Sequence, residues 1–142
     1  MSFDLKLENN NLVLSSSGDL DKVTETDKLE QDCTKLAITP LGANKLQNWY
    51  GSLLSKSLIG TPFDLEFTKK IASEQLISAL ETLKSLQLSQ AQQQNVSASE
   101  AISRILNVSI ETDKIDPRLI KVFISILSRS SKKSVIPLVV GW

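Results

Sequence analysis

The sequence contains no histidine. That removes the commonest general base, the Ser–His and Cys–His nucleophile pairs, and most zinc sites. A single cysteine, Cys33, allows no internal disulfide and fits assembly in a reducing compartment. Phosphate-binding glycine loops, metal-ligand clusters and nucleophile elbows are missing as well. No apolar run reaches the roughly 20 residues that span a bilayer, and the polar N-terminus does not read as a signal peptide. Lys+Arg and Asp+Glu balance at 16 each, and the basic residues are scattered, so no net field draws the chain to nucleic acid or an anionic membrane. What survives is carboxylate-only or lysine-based chemistry. The expectation is a protein that is not an enzyme and uses no cofactor or metal.

The 142 residues fit one domain, 1–142, large enough to bury roughly two-thirds of the surface of the unfolded chain. Phe3, Leu5 and Leu7 alternate with charged residues, the period of a half-buried strand. Asn9-Asn10-Asn11 suits a tight turn, so residues 3 to 15 read as a small hairpin. Thr24 or Thr26 could cap a helix whose stripe is Leu29, Cys33 and Leu36. On that stripe Cys33 reads as a small buried residue rather than a reactive thiol. Pro40 stops the helix, and Gly42 sits where a left-handed cap would fall. The stretch Leu46 to Leu54 begins as a short helix and breaks at Gly51. Trp49 and Tyr50 there read as core anchors, with an aromatic ligand shelf as the alternative.

Thr61-Pro62-Phe63-Asp64 carries an N-cap, a proline at the first helical position and an acid at the third. The helix it opens runs to about Gln93, with Leu76, Ala79, Leu80, Leu83 and Leu86 on one face. Gln87 to Asn95 then reads as a solvated polar end, or as an extension that faces a partner. Ser97 and Glu100 form a capping box opening a short helix through about Ser103. Leu106, Val108 and Ile110 alternate with polar residues in a strand.

The last third organises the chain. Leu119 to Leu127 and Val135 to Val140 are Ile/Val-rich runs on either side of the polar turn Ser128 to Lys133, the pattern of a β-hairpin. The first run is apolar on both faces: Ile120, Val122, Ile124 and Ile126 on one, Leu119, Phe123 and Leu127 on the other. Such a strand needs cover on both sides, from helices or from a partner. The second run, Val135-Ile136-Pro137-Leu138-Val139-Val140, carries no charge, and Pro137 removes one donor, which places it near a sheet edge. The fold class expected is α+β: a mixed or antiparallel sheet with packed helices and a C-terminal hairpin.

Candidate chemistry is sparse. Glu66, Glu74, Glu100 and Glu111 could in principle supply a glycosidase pair, but each reads better as a helix-surface or capping charge. Asp116-Pro117-Arg118 holds an acid and a guanidinium in a set relation, so Arg118 could grip a carboxylate in this chain or on a partner. As a plain turn, the same three residues would account for the proline alone.

Taken in order, these pieces resemble a family: the small inner-baseplate wedge protein of contractile phage tails, found also in type VI secretion baseplates and contractile bacteriocins. The resemblance rests on several motifs. They are Gly18-Asp19-Leu20 with the helix carrying Gln31, then Leu36-Ala37-Ile38-Thr39-Pro40-Leu41-Gly42, then Trp49-Tyr50-Gly51-Ser52 with Leu54. The last is Asp116-Pro117-Arg118, in the place of the family's Glu-Pro-Arg signature. Asp116 is a shorter arm than that glutamate, and the glutamine-rich section before Ser97 is longer than in compact members. The resemblance implies a structural virion component, although such proteins were once called lysozyme-like. One face would join the helical core bundle of the wedge, and the terminal strands would template the first ring of tail sheath. Its implied partners are the wedge core-bundle proteins and the sheath protein, in several copies per symmetric baseplate assembled in the host cytoplasm. Its implied site residues are Asp116, Pro117 and Arg118 with Val135 to Val140.

Overall fold

The computed structural model describes residues 2–9, 11–54, 65–116 and 118–141. Strand β1 (Phe3–Leu5) is followed by the hairpin of β2 (Leu7–Glu8) and β3 (Asn11–Leu12), then by β4 (Lys22–Thr24) and helix α1 (Glu25–Ile38). Helix α2 (Leu65–Gln93) leads through a single 3-10 turn, Ala98–Glu100, to β5 (Ile102–Thr112), β6 (Leu119–Ser128) and β7 (Lys133–Gly141). The last three strands form an antiparallel meander with β6 in the middle. The class is therefore α+β, and the named strands pair antiparallel throughout. No helix among the described residues is long and apolar enough to cross a membrane.

Alternation on β6 builds the core. Ile120, Val122, Ile124 and Ile126 all point to one face and are at most 2% exposed. Burying each contributes about 2 kcal/mol. Helix α2 covers the β5 side of that face and α1 the β7 side, and the two helices meet above β6. Leu29, Cys33 and Leu36 bring α1 down onto the sheet, and Leu76, Leu80 and Leu83 do the same for α2. The expected cover on both faces is present on one only among the described residues. Leu119, Phe123 and Leu127 remain half-buried on the outer face, beside the exposed Val135 and Val139.

Several local expectations need correction. The opening strand does not fold back on residues 12 to 15: β1 pairs with β4, Phe3 opposite Thr24, and the short β2–β3 hairpin projects between them. Asn9 makes its turn with φ 50°. Phe3, Leu7, Leu12 and Leu14 are exposed, so alternation there marks a finger rather than a half-buried strand. Helix α1 does follow Thr24, but Thr39 ends it in an extended conformation, and Gly42 (φ 83°) belongs to the next turn, closed by Ala43 N–H donating to Pro40 O. Residues 44–50 form consecutive turns instead of a short helix, with Gln47 N–H on Asn44 O and Tyr50 N–H on Gln47 O. Trp49 is 45% exposed, so it does not act as a core anchor. The Ser97 capping box closes one 3-10 turn only, because Ile102 already pairs with Ser128 in β5. Thr61 to Asp64 lie outside the described residues.

The 40–52 loop explains two of the motifs physically. Ser52 N–H donates to Thr39 O at 2.9 Å, Leu41 N–H to Ser52 O at 3.0 Å, and the Ser52 hydroxyl to Ala37 O at 2.7 Å. Gly51 lies where a Cβ would sit 2.7 Å from Thr39 O, with φ 121°. Glycine is the residue that permits this approach. The loop is thereby clamped to the end of α1, and Leu54 enters the core.

Candidate functional site

Strand β7 is an edge of the meander. Its side chains alternate cleanly: Ile136 and Leu138 are buried, Val140 is partly buried against the core, and Val135, Pro137 and Val139 face outward. The direction of its backbone follows from one residue. Pro137 stands opposite Phe123 but has no N–H, so this is a non-hydrogen-bonded position of the ladder. The bonded positions are then Val122 with Leu138 and Ile124 with Ile136. By the same alternation Val135, Pro137 and Val139 turn their backbone groups away from β6, toward the free edge. That edge presents the N–H groups of Val135 and Val139 and three carbonyls. No charged residue follows Lys133 along it.

The β5–β6 loop lies at the end of this edge, because Leu119, next to Arg118, pairs with Gly141. The fold thus joins the two groups of candidate residues that are separate in the sequence. Asp116 caps the turn: its Oδ1 accepts Arg118 N–H at 3.0 Å, and its carbonyl accepts Leu119 N–H at 3.0 Å. Its side chain is occupied with the backbone and does not brace the guanidinium. Arg118 is exposed, and among the described residues it has no carboxylate partner. Pro117 lies outside the described residues. The loop is further tied by Asp113, which accepts Ile115 N–H at 2.8 Å and faces Lys121 at 3.2 Å. The Ile115 N–H, then the Lys121 ammonium, hold the Asp113 carboxyl below the usual range.

Three polar side chains escaped the sequence reading of their burial or bonding. Gln31 acts as an artificial strand partner: its Oε1 accepts Leu7 N–H at 2.9 Å and its Nε2 donates to Leu5 O at 2.8 Å. Gln87, assigned above to a solvated end, is 4% exposed; its Oε1 accepts Ile102 N–H at 2.8 Å and its Nε2 donates to Glu100 O at 3.3 Å. The signal was in the spacing, since 76, 80, 83 and 87 continue one helical stripe. Glu100 is 1% exposed and accepts Ser97 N–H, Ser2 N–H and the Ser2 hydroxyl at 2.9 to 3.1 Å. Burial alone would raise its carboxyl, but these donors outweigh burial and hold it below the ordinary value.

Among the remaining charged groups, one connected set of ion pairs centres on α1. Lys35 contacts Asp4 and, at 3.4 Å, Asp32, which in turn meets Lys28 at 2.8 Å. Burial opposes the ionised form of Asp4, yet the hydrogen bond and charge of Lys35 prevail and lower it. This chain of charges floors a cavity of about 370 Å³ walled by Phe3, Trp49 and Tyr50. Glu66, Glu74 and Glu111 are exposed, on α2 and β5, away from the buried Glu100 turn in sequence and setting. The Cys33 thiol is pushed up to about 12 by burial, then by Asp32 and Glu30, as befits a core residue.

Among the described residues the architecture is thus two helices laid on one face of an antiparallel meander, with no strand paired to the outer edge of its last strand. The same fold occurs in a solved structure from Geobacter sulfurreducens, provisionally named a tail lysozyme: the TM-score is 0.61 over 92% of this chain and 96% of that one, at 12% identity. The likeness shows a shared fold over nearly the whole length. No family model matches the sequence, and no curated protein matches it either.

Proposed function

We propose that this protein is a non-catalytic structural component of a contractile tail, a baseplate wedge part that nucleates the sheath. On this reading it resides in the virion tail baseplate, enters it in several copies during assembly in the host cytoplasm, and contacts the wedge core bundle and the sheath protein. The observation that carries the reading is the bare, uncharged edge of β7. Strand addition draws affinity from backbone bonds and needs little side-chain chemistry. Natural edges are usually guarded by charge, a bulge or a cover. Arg118, exposed beside that edge, is the residue suited to a partner carboxylate. The shared fold with a tail-named protein supports the tail context.

The decisive variant is Val139→Pro. Residue 139 turns its N–H to the free edge and its side chain is 62% exposed, so proline there removes no internal bond and little packing. Ser125 is unsuitable, since it lies on the central strand and its N–H serves the β5 ladder. The variant should melt like the parent and fail to nucleate sheath polymerisation in a reconstituted assembly. Normal sheath growth from it would remove β7 from the docking role. Arg118→Ala should likewise leave melting unchanged while costing the assembly contact about 2–5 kcal/mol.

A second reading, peptidoglycan cleavage, is favoured by the name of the structural neighbour. It requires two carboxylates across a sugar cleft, one of them kept protonated by a raised pKa. Among the described residues the three carboxylates with displaced acidity, Asp4, Glu100 and Asp113, are all lowered, which supports the structural role. A turbidity assay on cell walls separates the two: lysis abolished by one Glu→Gln change would establish the hydrolase.

A further inference from the structure

The free edge of β7 opens onto a slot. A cavity of about 370 Å³, the size of a small binding cleft, is lined by both Ile136 and Pro137. Neighbouring residues of a strand point to opposite faces, so a cavity touching both must abut the strand's edge rather than either face. The other edge is filled by β6, and among the described residues no strand pairs with this one. Across the slot stand Leu7 of β2 and the α1 residues Asp27, Glu30 and Ile38.

The charges of the slot are unbalanced once existing pairs are counted. Lys6 is engaged with Asp21 at 3.7 Å, and Lys35 with Asp4 and Asp32. Asp27 and Glu30, three residues apart and so on one side of α1, have no cationic partner among the described residues. Two uncommitted carboxylates therefore face any chain that pairs with β7, while Leu7, Ile38 and Ile136 offer it an apolar wall.

We infer that the slot selects the strand added to β7, and that the occupant is an extended segment carrying an apolar residue and a Lys or Arg on the same, slot-facing side. Backbone pairing with β7 supplies affinity for any extended chain, and the slot supplies the choice among them. Lys or Arg opposite Asp27 and Glu30 is attracted, whereas an acid at that position is repelled. This inference rests on strand addition at β7 and adds to it the chemistry of the added strand.

The test is selection from a displayed library of random nine-residue peptides against the full chain. The unmodified protein should enrich alternating β-branched sequences with Lys or Arg at one fixed alternate position. Asp27→Lys combined with Glu30→Lys should enrich Asp or Glu at that position instead, and should bind a synthetic copy of a basic peptide enriched by the unmodified protein about tenfold more weakly at low salt, with a smaller loss in molar salt. Asp27→Asn with Glu30→Gln, which alters the helix surface least, should lose the charge preference while still binding; circular dichroism confirms that each variant is folded. Val139→Pro should enrich nothing. If charge reversal leaves the enriched residues unchanged while Val139→Pro abolishes capture, the slot inference fails and strand addition stands. Capture of the same peptides by Val139→Pro defeats strand addition itself. If the unmodified chain enriches no basic extended peptide, the slot inference is overturned, and the sheath-nucleation assay decides the docking role separately.

Discussion

Replacing Gln87 by leucine should be among the most damaging single changes outside the apolar core. Leucine is one atom shorter than glutamine but similar in bulk, and it continues the Leu76–Leu80–Leu83 stripe, so most of the packing is kept. What it removes is the acceptor for Ile102 N–H and the donor to Glu100 O, at 2.8 and 3.3 Å. Both orphaned groups lie in a region where Glu100, Ala101 and Ile102 are at most 1% exposed, so water does not replace the lost partner. Each unsatisfied group costs about 1–3 kcal/mol, and the added apolar burial returns about 1. For the two groups together the net loss is about 1–5 kcal/mol. For a chain of 142 residues the unfolding entropy makes 1 kcal/mol worth about 3 °C. The melting temperature should fall by about 3–15 °C, read by circular dichroism and by urea titration with an unchanged m-value. Gln90→Leu, one turn on and exposed, should change stability by less than about 0.5 kcal/mol. Gln87→Glu keeps the acceptor but turns an oxygen toward Glu100 O. Its raised carboxyl should make its deficit small near pH 4 and larger above, as the charge appears. A Gln87→Leu protein that melts within about 2 °C of the parent would refute the argument, because it would mean these groups are not cut off from water.

Gly51→Ala places a methyl group 2.7 Å from Thr39 O at φ 121° and should cost about 2–4 kcal/mol. Limited proteolysis should then cut the 40–52 loop faster, whereas Gly42→Ala, with open space around it, should cost about 1 kcal/mol. Glu100, lowered in the folded state, contributes stability that is fully present above its unfolded value near 4.5 and is lost as pH falls through the folded value. Glu100→Gln should therefore destabilise the protein at neutral pH and flatten the acid limb of a stability–pH curve. An acid limb as steep as the parent's would mean that Glu100 does not gain those bonds on folding.

The extent to which these features could be read in advance depended on their range. A helix opening at Thr24 or Thr26, a second running to about Gln93, and the alternation of Ile120, Val122, Ile124 and Ile126 are written in local spacing, because each is a period or a cap within a few residues. The same locality placed Cys33 in the core and Pro137 toward an edge. Periodicity names a face but not its partner. That β1 would pair with β4 across the β2–β3 finger, that Gly51 would be pressed against Thr39, and that Gln87 would close the backbone of the Glu100 turn were all settled by which surfaces met when the chain closed. The joining of Arg118 to the end of β7 has the same origin. Asp116 and Arg118 were visible as a motif and Val135 to Val140 as a run, but only the antiparallel register, Leu119 opposite Gly141, makes them one surface. The slot beside β7 lies further still from the sequence, since Leu7, Asp27 and Ile136 share no local pattern and become neighbours only through the packing of α1 on the sheet.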